Sequence, residues 1–159
     1  MTVSIDRLAR LLAVVGMDLS VRAYPAGPPI RDAGHVRLIG RFRERISSGG
    51  WVWRSEVPVA GLGDLRAWDG QLVGSGLTIA TEIETRLRDV QATQRRLELK
   101  RRDGTVDRLL LVVADTRTNH GAMEAAADLL SAAYPVSARA ALAALAAGRD
   151  PGGDALIVL

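Results

Sequence analysis

Cysteine is absent from this chain, which excludes disulfides and any thiolate-bound zinc. Lysine occurs once, as Lys100, so arginine carries nearly all the positive charge. The only histidines are His35 and His120, and neither stands in a ligand spacing such as HxxxH, so no zinc is expected. No apolar run approaches the roughly 18 residues that cross a bilayer. The opening MTVSIDRLAR has no basic segment followed by a continuous apolar one, so neither a membrane span nor a secretory signal is read there, and the expected location is cytoplasmic. There is no G-x-S-x-G elbow, and the glycines near residues 74–76 and 148–153 match neither a phosphate-binding loop nor a dinucleotide fingerprint.

What remains is a chain of 159 residues, 48% hydrophobic and 25% charged, enough for one sizeable core and too short for two ordinary domains. Ser4 is placed to cap a helix whose apolar positions are Ile5, Leu8, Leu11, Leu12 and Val15, with Gly16 to end it. Met17 to Tyr24 alternates like a strand, and Pro25, Gly27, Pro28 and Pro29 then read as a linker. Residues 1–24 are thus set apart from an α/β region over 30–159. There the patterns predict a helix at Asp32–Ile46, strands at Trp51–Val59, Leu65–Val73 and Leu77–Leu87, and a helix at Asp89–Arg102. A strand follows at Val106–Ala114, then helices at Asn119–Ala133 and Ala138–Ala147 and a last strand at Ala155–Leu159. The run Leu109–Val113 marks a strand buried on both faces. The fold class is α/β, a mixed central sheet flanked by helices.

The hairpin around Gly74–Gly76 carries the chemistry. On its second strand Leu77, Ile79, Ile83 and Leu87 share one face, and Thr78, Ala80, Glu82, Glu84 and Arg86 the other. Glu82 and Glu84 are therefore neighbours, with Cα atoms roughly 6.5–7 Å apart. A three-residue loop would turn Asp69 away from them. A four-residue loop pairs Leu72 with Leu77, sets Asp69 opposite Ala80, and gathers Trp68 and Leu72 on the apolar side with Leu77, Ile79 and Ile83. Burying a large apolar side chain contributes roughly 1.5–3 kcal/mol, which favours the four-residue loop. Asp69, Glu82 and Glu84 then share one polar face. Three carboxylates there would bind magnesium or manganese through oxygen, or would form a solvated face neutralised by Arg66, Arg86 or Arg88.

An Asp on one strand, a hairpin of this length and an acidic residue two before the motif's end resemble the core of the PD-(D/E)XK nuclease superfamily. The order helix, three strands, helix, strand over residues 32–114 is similar to that family's restriction-endonuclease-like αβββαβ core. The resemblance implies metal-dependent phosphodiester hydrolysis. Asp69 would be the motif's aspartate, Glu82 its acidic partner, both would hold Mg or Mn, and Glu84 falls where the motif's lysine stands, which removes the usual charge stabiliser. Arg88, Gln91, Arg95, Arg96 and Lys100 of the following helix would meet the backbone of DNA or RNA. Ser4–Tyr24 resembles the tail of Xre-like helix-turn-helix regulators, and GDLRAWD, ETRLRDVQ and AALAAGRDPGGDALIVL resemble stretches of the domain that follows such a tail in actinobacterial-type regulators. That context implies a homodimer, and as an alternative a non-catalytic dimerisation or ligand-sensing domain. Asp115–His120 is read as a helix cap, His35 as a helix-surface residue, and Trp51, Trp53 and Trp68 as core or interface anchors.

Overall fold

The computed structural model describes residues 4–17, 19, 29–59 and 65–159, and of 29–32 the backbone alone. Among the described residues the helices are α1 (Ile5–Val14), α2 (Pro29–Arg45), α3 (Val90–Asp103), α4 (Arg117–Ala125), α5 (Ala127–Ala133) and α6 (Ala138–Ala146). The strands are β1 (Val52–Pro58), β2 (Ala67–Gly74), β3 (Leu77–Glu84), β4 (Arg108–Val113) and β5 (Ala155–Val158), and they lie side by side in chain order. β1, β2 and β3 pair antiparallel, whereas β3–β4 and β4–β5 are parallel. The molecule is an α/β protein with a mixed sheet. The strand expected over Met17–Tyr24 falls mostly outside the described residues.

Helix starts follow local chemistry. The side chains of Ser4, Asp89, Thr116 and Ser137 accept hydrogen bonds from main-chain N–H groups of the first turns of α1, α3, α4 and α6. The helix expected over Asn119–Ala133 is two: α4 gives way to α5 at Ala126, whose φ of −122° and ψ of 26° leave the helical region. No glycine or proline marks that break.

Two cores sandwich the sheet. Leu38 and Phe42 of α2, Ile46 just after it, and Ala141 and Leu145 of α6 bury Leu72, Ile79, Ile83, Leu110 and Val112 on one face. Leu97 of α3, Leu130 of α5 and Tyr134 bury Trp68, Ala80, Leu109, Leu111 and Val113 on the other. β4 is covered on both sides, as a continuous apolar run requires. By contrast, α1 buries no residue, and Ile5, Leu11, Val14 and Val15 stand 58–84% exposed.

Candidate functional site

The β2–β3 connection is tighter than the four-residue loop expected from the sequence. Gly74 pairs with Leu77 and Gln71 with Ala80, leaving a two-residue turn, Ser75–Gly76, with φ of 51° and 75°. Left-handed values at both positions match the twist of a hairpin. The register is displaced by two residues from the expected one. An even slip keeps each side chain on its face, and one step beyond the Gly70–Thr81 pair Asp69 comes level with Glu82.

Regular alternation nevertheless fails at Asp69. Its Oδ2 accepts a hydrogen bond from the Ile83 N–H at 2.7 Å, so the carboxylate lies in the plane of the sheet and takes a ladder partner's place. Opposite it on β1, between the pairs Ser55–Gly70 and Val57–Trp68, Glu56 adopts a φ of 51°. A left-handed glutamate inside a strand is costly backbone geometry. Both strands roll over at this point. Trp53 and Leu72 face α2, whereas Val59 and Trp68, of the same parity, face α3. Trp68 therefore does not join Leu72, Ile79 and Ile83 as expected, because the side chain of Asp69 interrupts the ladder.

The roll gathers titratable groups from five elements. Asp69 Oδ1 lies 3.9 Å from His35 Nε2 of α2, so His35 is half-buried beside the site rather than a plain surface residue. On the α3 side Glu82 is only 3% exposed, and its Oε1 lies 2.6 Å from Lys100 Nζ. The same ammonium donates to Ala67 O at 2.7 Å and stands 5.4 Å from the centre of the Trp68 ring. Burial, then the charge of Asp69, pushes the Glu82 carboxyl up to about 7, with Lys100 and Arg96 pulling the other way. Burial and Asp69 likewise raise Glu56. Arg96 bonds Glu84 and reaches to 3.9 Å from Glu82 Oε2. A carboxylate titrating near neutrality beside a second carboxylate and a lysine is suited to proton transfer and to handling an anionic substrate.

The expected site residues divide accordingly. Asp69 and Glu82 come together, while Glu84 turns to Arg96. Among the described residues no three His, Asp or Glu side chains converge as a group able to hold a metal ion. Glu84 shares its arginine with Glu82, because Arg96 reaches both carboxylates. Arg88, Gln91 and Arg95 are exposed, as a phosphate contact would need. Lys100, expected among them, is buried with its charge spent inside the protein. Sequence reading passed over His35 and Glu56 as members of the site. The signal for Lys100 was present: Val90, Thr93, Leu97 and Lys100 recur at helical spacing on the buried stripe of α3.

Comparison with protein-family models, with curated proteins and with solved structures finds no match for this chain. No described helix is long and apolar enough to cross a membrane.

Proposed function

We propose that the α/β region is a nuclease-like domain with a restriction-endonuclease-like αβββαβ core, hydrolysing phosphodiester bonds of DNA or RNA at a centre made by Asp69, Glu82 and Lys100. One observation carries the reading: Glu82, almost fully buried, is held at 2.6 Å by the chain's single lysine while the charge of Asp69 bears on it. The element order α2, β1, β2, β3, α3, β4, with β4 parallel to β3, supports it.

Asp69 and Glu82 would be the residues to hold a magnesium or manganese ion, since magnesium takes one or two carboxylates and fills its remaining positions with water and phosphate oxygens. Bound there, the cation would supply positive charge against the phosphate and would acidify the attacking water. The chain's own residues do the rest. The Ile83 N–H fixes Asp69 through Oδ2 and turns Oδ1 toward His35. Lys100 orients Glu82 and stands where the motif position on β3, Glu84, provides no cation. Arg96, half-exposed, can leave Glu84 for a phosphate oxygen. As the water oxygen bonds to phosphorus its proton can pass to His35, and the ester oxygen departs taking a proton from solvent water.

Incubation with single- and double-stranded DNA and with RNA, in magnesium or manganese, tests the proposal. Cleavage should fall at least about a hundredfold in Asp69→Asn, Glu82→Gln and Lys100→Met, the scale on which loss of one charge-stabilising group acts. Wild-type protein that cuts none of these substrates with either metal overturns it. The exposed apolar stripe of α1 favours a second reading, a non-catalytic dimerisation module. Light scattering decides that one: a dimer mass that halves when Ile5, Leu11 and Val15 become serine supports it, and an unchanged mass removes it.

A further inference from the structure

On the α2 side of the sheet a groove of about 480 Å³ runs between α2 and β1, with Trp51 and Trp53 on one wall and Gly40, Arg43 and Glu44 on the other. It lies across the sheet from Lys100 and shares no residue with the Asp69–Glu82 centre. Trp53 stands on the edge strand β1 and Trp51 just before its first residue, two positions apart in extended chain, so both line the groove with Cα atoms roughly 6.5–7 Å apart. Neither is fully buried, unlike Trp68 at 1% exposure.

Their orientation is built in. The six-membered ring of Trp53 lies directly over Gly70, where an added Cβ would come within 2.1 Å of it, and Trp51 lies over Gly74 at 3.0 Å. β2 thus carries no side chain at the two positions that seat the rings. The indole N–H groups are fixed as well, Trp51 donating to Leu145 O at 2.7 Å and Trp53 to Ser55 Oγ at 2.8 Å. Phe42 braces Trp53 edge-on, with ring centres 6.3 Å apart. Across the groove, Gly40 sits in the interior of α2, where glycine costs about 1 kcal/mol relative to alanine. No packing demands it, because a Cβ there would meet nothing within 4 Å. Its effect is to keep the groove open.

We propose that this groove binds unpaired bases of a single-stranded nucleic acid. Two rigid indoles two positions apart in extended chain form a stacking platform, and every base has a face that can use it. Charge points to a polyanion. The Arg43 guanidinium lies 5.8 Å from the Trp53 ring centre, placed to take the phosphate of a base at the groove. Exposed Arg37, Arg41 and Arg45 continue along the same helix, against Glu44 as the one acid between residues 33 and 45. Glu44 at the rim can accept a hydrogen bond from an exocyclic amino group. A duplex keeps its bases stacked inward and cannot offer them to a concave groove. Binding here requires no cleavage at Glu82.

The test uses the full chain carrying Glu82→Gln in EDTA, so that hydrolysis cannot contribute, titrated with a short single-stranded oligonucleotide of mixed sequence. Saturable, salt-sensitive quenching of tryptophan fluorescence is expected, reporting Trp51 and Trp53 because Trp68 is buried. Trp53→Leu should weaken binding about tenfold or more, the cost of one lost stacking contact. Gly40→Leu fills the groove from an exposed helix position and should weaken binding as much, which keeps the test open if Trp53→Leu folds poorly. Absence of quenching, unchanged affinity in Gly40→Leu, or equal competition by the same sequence as a duplex overturns the proposal. Quenching in a protein that cleaves nothing supports the groove and counts only against the hydrolytic reading.

Discussion

Lys100 of α3 and Glu82 of β3 meet at 2.6 Å beneath the protein surface, each less than a tenth exposed. A buried ion pair is poor value as a stabilising device, since removing two charges from water costs about as much as their attraction returns. This pair is further burdened by Asp69, whose charge pushes Glu82 toward its neutral form. An apolar pair would fill the same space at lower cost, so the arrangement makes more sense as a prepared electrostatic site than as a brace.

The pH dependence of stability follows from Glu82. Its carboxyl titrates at about 7 in the folded protein against 4.5 for an unperturbed glutamate. Between those values the folded state holds a proton that the unfolded state has lost. The contribution of this group is therefore fully present below pH 4.5, declines as the pH rises through 7, and is flat beyond. Urea unfolding of wild type and Glu82→Gln at pH 5 and pH 8 isolates it. The wild type should lose on the order of 2–3 kcal/mol relative to the variant over that interval. Parallel behaviour of the two proteins would rule out the raised carboxyl.

Removing the cations separates buried from exposed charge. Lys100→Met leaves Glu82 without its partner and should cost about 3–5 kcal/mol at pH 8. The loss should shrink at pH 5, where Glu82 becomes neutral. Arg96→Ala removes a half-exposed arginine from Glu84 and should cost less than about 1 kcal/mol at either pH. Equal penalties for the two substitutions would mean that Lys100 is not the inward-facing cation.

Much of the fold was legible because strands and helices announce themselves by apolar period. Leu109–Val113 could only be a central strand, and Ser4, Asp89 and Gly104 lie at helix ends as their chemistry suggests. The hairpin register differs by two residues from the one alternation favours, because Val73 and Gly74 still belong to β2 and Ser75–Gly76 alone suffices for the turn. The face reversal at Glu56 and Asp69 was not legible, since alternation assumes an unbroken ladder and a side chain that substitutes for a ladder partner leaves no periodic trace. Glu82 was found by alternation. The burial of Lys100 is legible only through its neighbours at helical spacing, Thr93 and Leu97, since a lysine by itself reads as surface.

Gly70 is required by the ring above it. An alanine methyl would fall 2.1 Å from the Trp53 ring, and the ring is braced by Phe42 and by its bond to Ser55. Gly70→Ala should lower stability by about 1–3 kcal/mol, the usual cost of overpacking. In Gly70→Ala with Trp53→Leu the added penalty should largely vanish, giving a coupling near the full clash energy. Thermal unfolding of the four proteins completes the cycle. Additive losses would place the strain elsewhere.

Asn119, expected only as part of a helix cap, joins the two connections that leave the parallel strands. Its Oδ1 accepts from the Leu87 N–H at 2.9 Å, and its Nδ2 donates to Thr85 O at 3.2 Å and to Ala114 O at 2.8 Å. The side chain thus ties the segment after β3, just beyond Glu84, to the segment after β4, and it is fully buried. Asn119→Ala orphans three main-chain groups where water has little access, and each unsatisfied buried group costs about 1–3 kcal/mol. A loss of at least about 2 kcal/mol is expected, with faster amide exchange at Leu87. Asn119→Asp separates donor from acceptor. At pH 8 the carboxylate still accepts from Leu87 but faces two carbonyls, so it should be no more stable than alanine. At pH 5 a buried carboxyl that has taken up its proton can donate one of the lost bonds and recover part of the deficit. If aspartate tracks asparagine at both pH values, the two carbonyl contacts are not what holds these connections together.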